Sequence, residues 1–471
     1  RLAKIPTFEP CDSQEAKDYV KLAFEMSEKF DTPCLIHSVM RVSHCKSVVE
    51  LGERTENPKV LEKFPRNLPK YNCTAMYARV MHARIEENIK KIADYVETCG
   101  INRVEMRDTK MGIICTGVMY AYIKDVFPNA SVLKLGMSYP LPQNMIKDFA
   151  SKVDKVYVIE ELDPVIEEQV KSMGVDCVGK ELFPACYELL PDRLLDICLE
   201  NGILDKDPRT HDVKEVENLP GRNPVLCAGC PHRSTYYVLK KHDIACAGDI
   251  GCYNLGAQPP FEAQHTMGCM GASIGQLHGM SLANLPENRV CTIGDGTFWH
   301  SGLPALANMV HNNGRGVVIL MDNDNTAMTG HQDNPATDYR VLRNVEATKI
   351  DIPAVCRAMG VELVKTVNAF DVNEVEAGLK ECMAYDKVSV LITKGECVQF
   401  NKFSSTPYTV EADKCIACQT CFKCGCPAIM VSDEENPKTH KKKCRIDPTL
   451  CNGCGICSQV CPVKAIVKKE D

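Results

Sequence analysis

Ten cysteines fall between Cys415 and Cys461, and their spacing constrains this chain more than any other feature. Cys415, Cys418 and Cys421 recur as Cys451, Cys454 and Cys457, each displaced by 36 positions, while Cys426 and Cys461 are displaced by 35. The second run reads C-x₂-C-x₂-C-x₃-C-P. The first, CIACQTCFKCGCP, is the same run with four residues before its last cysteine. Three thiolates so spaced grip one face of an iron–sulfur cubane, and the fourth ligand has to come from elsewhere. From Glu411 onward the chain is dense in Cys and Lys with little apolar periodicity, so an ordinary apolar core is not what organises it.

This arrangement resembles the two-cluster bacterial ferredoxins, in which the fourth cysteine of each run ligates the other cluster. The resemblance implies one 4Fe-4S cluster on Cys415, Cys418, Cys421 and Cys461, and a second on Cys451, Cys454, Cys457 and Cys426. Pro427 and Pro462 then turn the chain away after each crossing ligand. Paired zinc knuckles are the competing reading, but zinc gives no reason for two sets of four in a Pro-terminated repeat. Cys424 and Cys444 are left over.

The remaining composition sets the context. Across 471 residues, 55 Lys and Arg stand against 62 Asp and Glu, a formal charge of −7. That balance argues against nucleic acid or an anionic membrane as the main partner. No signal peptide opens the chain and no apolar run approaches a transmembrane helix, so a cytoplasmic location is expected. There, 28 cysteines read as reduced thiols and metal ligands rather than disulfides, in an anaerobic or strongly reducing cell. The chain starts at Arg1, in what reads as the middle of a domain, so a preceding N-terminal portion is expected.

Periodicity divides the rest. Residues 1–50 read as helix then strand. Residues 51–109 are charged and Pro-bearing, linker-like, with a polar helix from Ile85 to Glu97. Residues 110–186 alternate strand and helix ("MGIICTG", "VMYAYIKDVF", "ASVLKLG", "VDKVYVIEE"), which predicts a small parallel sheet covered by helices. A polar linker, 187–222, leads to a second α/β unit at 223–405, and the cysteine-rich domain follows at 406–471. The fold class is therefore multidomain α/β with parallel-sheet domains, plus a C-terminal α+β ferredoxin-like domain.

Within 223–405, "GDGTFWHSG" ends one predicted strand and "MDNDNTAMTG" ends the next. An Asp among glycines at one strand end, with Asn and backbone oxygens at the other, offers hard oxygen ligands for Mg²⁺. Glycines let the backbone approach a diphosphate that faces a helix N-terminus. The spacing resembles the thiamine diphosphate motif. Carried over, Asp295 and Asn323 bind Mg²⁺ through side chains and Asn325 through its carbonyl, while Gly294, Gly296, Thr297, Thr329 and Gly330 lie along the diphosphate. Two ordinary Gly/Asp turns are the bland alternative.

Together, "CAGCPHRSTYYVLKK", "GDIGCYNLGAQPP", "CMGASIGQLHG", "GDGTFWHSGLPAL" and "TAMTGHQ", with "EPCDSQEA", "RVSHCKSVVE", "LKLGMSYPLP" and "VIEELDPVIEEQVK" upstream, resemble the large subunit of the indolepyruvate ferredoxin oxidoreductases, within the 2-oxoacid:ferredoxin oxidoreductase superfamily. The resemblance spans essentially the whole chain. It implies that 1–50 ends a pyrimidine-binding domain, that 110–186 is transketolase C-terminal-like, and that 223–405 binds thiamine diphosphate. It also implies a third, proximal 4Fe-4S cluster on Cys227, Cys230, Cys252 and Cys397. Buried core thiols are the alternative for Cys252 and Cys397. His232 and His331 are candidates for proton transfer or substrate carboxylate binding, and polar loop histidines with no catalytic duty are the alternative.

The family's activity would then be oxidative decarboxylation of an arylpyruvate (indolepyruvate, phenylpyruvate or 4-hydroxyphenylpyruvate) to an aryl-acetyl-CoA. Electrons would pass through the clusters to ferredoxin, with a smaller beta subunit as partner in a hetero-oligomer. In this family the pyrimidine domain precedes "EPCDSQEA" and supplies an activating Glu, and none is assignable here. The same chemistry on another 2-oxoacid, an electron-transfer subunit without thiamine catalysis, and a non-oxidative decarboxylase are the alternatives. The last has no use for the ferredoxin tail.

Overall fold

Alternating apolar strands and amphipathic helices bury both faces of a parallel sheet, and the computed structural model of the chain contains two such sheets in separate units, Arg1–Glu217 and Asn218–Asp471. The structure describes residues 3–54, 65–209, 219–221, 223–283, 289–337, 339–340, 345–400 and 406–469. Parts of both expected linkers, 55–64, 210–218 and 222, lie outside the described residues. No helix among them is long and apolar enough to cross a membrane.

In the first unit the strands Arg103–Glu105, Ala130–Leu135, Asp108–Thr116 and Val156–Ile159 lie side by side in that order. All pair in parallel except the antiparallel edge Arg103–Glu105. Successive side chains of a strand face opposite ways. Ile113, Val132 and Ile159 accordingly pack with the helices Met119–Val126 and Pro191–Glu200. Their neighbours Ile114, Leu133 and Val158 pack with Gln143–Ala150 and Val165–Ser172.

The helix Ala75–Val96 begins ten residues before the expected Ile85. Its last turns are core rather than linker: Ile92 and Val96 pack with Phe8, Tyr19, Met26 and Met137. Exposed Met76 and Val80 blur its apolar stripe, which is why the pattern reads as polar. Beside this core the Lys134 ammonium is fully buried, 2.5 Å from Glu15 Oε2 and 2.7 Å from the Tyr19 hydroxyl. Burial pushes the Glu15 carboxyl up, but Lys134 pulls it further down, so it is charged and dependent on that ammonium. Removing one member of a buried pair leaves the other uncompensated. Lys134→Met should therefore destabilise this unit by about 3–5 kcal/mol, read from its urea transition, and adding Glu15→Gln should recover part of the loss.

The second unit is built on a six-stranded sheet, ordered Leu363–Asn368, Val388–Lys394, Gly316–Asp322, Val290–Gly294, Cys246–Gly248 and Thr266–Met267, with every pairing parallel. Ile319, Met321 and Leu391 face the helices His232–Lys241 and Val372–Ala384. Ile293, Val318 and Leu320 face Ala272–Leu282 and Leu303–His311. The residues after Asn218 thus have their core on both sides of one sheet, and the loops at its carboxyl edge are left to bind ligands.

The cysteine-rich segment belongs to this unit. It has two antiparallel pairs, Tyr408–Val410 with Ile466–Lys468 and Ile429–Glu435 with Lys442–Ile446. Among the described residues its own small apolar cluster is built on Cys421, Ile429 and Ile466, while Cys424 and Ile456 are buried in the core of the parallel-sheet domain. It is fastened to the parallel-sheet domain by Asn452 Nδ2 donating to Ala228 O (2.6 Å) and Gln459 Nε2 donating to Phe370 O (2.8 Å). Gly425, at φ +61, lets the turn press to 3.0 Å from where a Cβ would meet Phe261 and Pro260.

Candidate functional site

The strand Val290–Gly294 runs straight into the helical residues Asp295–Thr297 and on into Leu303–His311. A helix N-terminus therefore opens at the carboxyl edge of the sheet, where partial positive charge attracts anions. It forms one wall of a cavity of about 140 Å³. The loop Asn323–Thr329 forms the second wall, and Ile250–Tyr253 with His232 the third. Gly294, Asp295, Gly296, Thr297, Asn323, Asn325 and Thr329 all line it. Gly330, at φ +119, and His331 stand just beyond.

Glycines set how closely these walls approach. A Cβ on Gly296 would lie 2.3 Å from Thr326 Oγ1, and one on Gly294 or Gly251 within 2.5 Å of the Tyr253 ring. Tyr253 in turn donates to Ile250 O (2.8 Å) and lies 3.3 Å from Thr297 Oγ1. The turn that carries Cys252 is held by Asp249, whose buried carboxylate accepts from the N–H groups of Ile250 and Gly271 at 2.8 Å and of Ser273 at 3.0 Å.

The three expected Mg²⁺ donors converge here. With its amide turned to donate, Asn323 bonds Asp295 Oδ1 (3.3 Å) and Asn325 O (2.7 Å). A half-turn of that amide puts its oxygen in the same place, and a carboxylate, an amide and a main-chain oxygen then face one point, a donor set suited to Mg²⁺. Asp295 is 2% exposed, and among the described residues no Lys or Arg pairs with it. Burial first, and the Asp322 carboxylate second, push it up to about 7. The Asn325 amide nitrogen is buried without a partner. A hard cation beside Asp295 would relieve its charge cost.

His232 and His331 differ in kind. His232 is 3% exposed, edge-on to the Tyr253 ring, and burial pushes it down to about 4. It is a neutral imidazole at ordinary pH. His331 is half-buried, 3.4 Å from Asn325 Oδ1 and stacked on Phe400.

The cysteines group as follows. Cys230 is pushed up to about 12 by burial, with Arg233 opposing and Cys227 and Cys252 adding to the rise. Cys252 is pushed up to about 11 by burial, then by Cys397 and Cys227. All four thus lie in one electrostatic neighbourhood, with Gln399 Nε2 donating to Cys227 Sγ (3.3 Å). In the tail, Cys415, Cys418, Cys421 and Cys461 line one small cavity. The neighbours that push up Cys454 after burial are Cys426 and Cys451, and the same two, with Cys454 and Cys424, act on Cys457. Each fourth cysteine therefore sits with the opposite run. Among the described residues no three His, Cys, Asp or Glu side chains are placed for a single metal ion. A cubane spreads its four thiolates over separate irons, and thiols that resist ionisation alone give up their protons to a metal.

A model of the thiamine pyrophosphate enzyme C-terminal TPP binding domain matches residues 249–393, and one of the 4Fe-4S binding domain matches residues 445–467. The chain is 36% identical to Indolepyruvate oxidoreductase subunit IorA of Pyrococcus horikoshii, over all of this chain and 78% of that protein. The subunit of the same name from Archaeoglobus fulgidus is 36% identical over 99% of this chain and 77% of its own length. That from Methanothermobacter thermautotrophicus is 35% identical over the same shares. The chain belongs to the indolepyruvate oxidoreductase subunit IorA family.

As a member of that family it is a 2-oxoacid:ferredoxin oxidoreductase chain with a thiamine diphosphate domain and at least one 4Fe-4S cluster. Several residues of this IorA-family site carry no sequence signal of their own. Cys444 stands outside the repeat, yet its sulfur lies 3.4 Å from Cys421 Sγ and 3.9 Å from Cys415 Sγ. Cys424 is buried beside Cys426 and Cys454. Tyr253, Asp249 and Arg233 lie inside recognised segments, but only their packing reveals their duties.

Since Asp295 holds a proton below about pH 7, a cation binding there has to displace it. Measured by calorimetry in buffers of different ionisation enthalpy, Mg²⁺-dependent binding of thiamine diphosphate at pH 6 should therefore release close to one proton more in the wild type than in Asp295→Asn, which keeps only the release from the diphosphate itself, and at pH 8 the two should release alike. Asp295→Asn should also weaken binding roughly 100-fold.

Proposed function

We propose that this chain oxidatively decarboxylates arylpyruvates (indolepyruvate, phenylpyruvate and 4-hydroxyphenylpyruvate) to aryl-acetyl-CoA, with electrons leaving singly through three 4Fe-4S clusters to ferredoxin. The observation that carries this reading is that Cys252 lines the same cavity as Asp295, Gly296 and Asn323. A ligand of an electron acceptor then borders the place where electrons are set free. In sum, a 2-oxoacid, CoA and two oxidised ferredoxins become an acyl-CoA, CO₂, a proton and two reduced ferredoxins. Thiamine diphosphate supplies the electron sink for loss of CO₂.

The chain's own residues hold and orient the reacting groups. Asp295, Asn323 and the Asn325 carbonyl hold Mg²⁺, and Gly294, Gly296, Thr297, Thr329 and Gly330 lie along the diphosphate. His232, neutral and walled in by Tyr253, is suited to hydrogen-bond an uncharged carbonyl oxygen in the cavity rather than to pair with a carboxylate. His331, at the rim, is placed to meet the substrate's carboxylate from the solvent side. Burial of Cys230 and Cys397 keeps water from the proximal cluster and so guards a low-potential site.

A smaller beta subunit and an external ferredoxin are the partners this reading requires, in a reducing cytoplasm. The test is turnover of the anaerobically assembled complex on a panel of 2-oxoacids with CoA and ferredoxin. Indolepyruvate and phenylpyruvate should be turned over with at least tenfold higher kcat/KM than pyruvate or 2-oxoglutarate. A preference for pyruvate would overturn the arylpyruvate assignment, and ferredoxin reduction by none of them would overturn the catalytic one.

A further inference from the structure

Arg233 is 1% exposed and is the second residue of the helix that follows Cys227 and Cys230. Among the described residues every hydrogen bond of its guanidinium goes to a main-chain carbonyl. Nε donates to Cys227 O at 2.9 Å, Nη2 to Cys227 O at 2.8 Å and to Leu226 O, and Nη1 to Cys424 O at 3.0 Å. Among the described residues no carboxylate pairs with it. A guanidinium does not give up its proton at accessible pH, and a buried charge without a counter-charge is costly. Carbonyl dipoles soften that cost without cancelling the charge.

The counter-charge can be read from what surrounds it. Its bonds to Leu226 O and Cys227 O hold it on the turn that carries Cys227 and Cys230, and its bond to Cys424 O holds it on the turn that carries Cys426; Cys227, Cys230, Cys424 and Cys454 pack in one cluster around these turns. Cys227 and Cys230 belong to the proximal set, and Cys426 and Cys454 to the set Cys426, Cys451, Cys454 and Cys457. Four thiolates on an oxidised cubane leave a net charge of about −2, and about −3 after one electron. Two such anions facing each other repel, and a fixed cation between them offsets that repulsion for whichever cluster is reduced.

We propose that Arg233 is the electrostatic joint of the electron path, a positioning residue whose fixed charge raises the potentials of the proximal cluster and of its neighbour on Cys426, Cys451, Cys454 and Cys457. This rests on the three-cluster reading above. One electron leaves the proximal cluster and enters its neighbour, the first being oxidised and the second reduced. No bond forms or breaks and no proton moves, because arginine keeps its own. The cation borders both, so the electron stays within its field throughout the step. The cluster on Cys415, Cys418, Cys421 and Cys461 is then the outer one, nearest the acceptor.

The experiment is an EPR-monitored redox titration of the assembled, anaerobically purified complex carrying Arg233→Met, Arg233→Gln or Arg233→Lys, with iron content measured on the same samples. Wild-type protein has first to show three clusters, and if it shows two the underlying reading fails rather than this inference. With full iron content, Met and Gln should each make reduction of the two inner clusters at least tenfold less favourable, about 59 mV lower for a one-electron couple. The outer cluster should be unmoved. Lys, which keeps the charge but not the fork, should recover most of the shift, and KM for the 2-oxoacid should be unchanged while kcat falls. Gln, able to keep one bond to Cys227 O, serves if Met does not assemble. Wild-type potentials in the neutral variants would overturn the proposal. So would a Lys variant shifted as far as Met, since the role would then be structural.

Discussion

Gly294 pairs with Met321, and Asp322 pairs with Lys394, so three adjoining buried parallel strands end at one level. The Mg²⁺ donors and one cysteine of the proximal set hang from that shared edge. Asp295 leaves the first strand, Asn323 and Asn325 leave the second, and Cys397 follows the third, its N–H bonded to Asn323 O at 3.3 Å. A slip in this register would separate a carboxylate from its amide partner and a cysteine from its set. Because each strand is apolar on both faces and packed by helices on both sides, slipping would also expose core. The stability of the sheet and the geometry of the site are therefore one constraint.

The edge is also where burial opposes charge most strongly. Asp295 is pushed up to about 7 and His232 down to about 4, while the buried thiols resist ionisation. Each group is pushed toward its neutral form in the bare polypeptide, and Asp295 and the thiols become ready donors once a cation or an iron cluster supplies the opposite charge. Arg233 is the exception, a cation kept charged in a dry place. It joins Cys227 O to Cys424 O and so ties the parallel-sheet domain to the ferredoxin-like segment by charge as well as by hydrogen bonds.

What the sequence reveals follows from how local the signal is. The cysteine repeat is legible because ligand spacing within one turn is dictated by the cubane, while the exchange of its fourth ligands comes from the resemblance and not from the spacing. Asp295, Asn323 and Asn325 are legible because strand ends and glycines are local too. Cys444 is not, because it reaches Cys421 and Cys415 through the pairing of Ile429–Glu435 with Lys442–Ile446, a tertiary fact. The clash that fixes Gly296 involves Thr326, thirty residues away. The strands Cys246–Gly248 and Thr266–Met267 are too short to alternate. The helix Ala75–Val96 hides its buried end behind an exposed beginning.

Wiring of the thiamine cavity to the ferredoxin-like segment through a cluster on Cys227, Cys230, Cys252 and Cys397 is tested by iron and acid-labile sulfide per chain in the anaerobically assembled protein and in its Cys252→Ala variant, with dithionite-reduced EPR on both. Roughly twelve irons should fall to about eight, with loss of one signal and the other two unchanged. About eight irons in both proteins would contradict it.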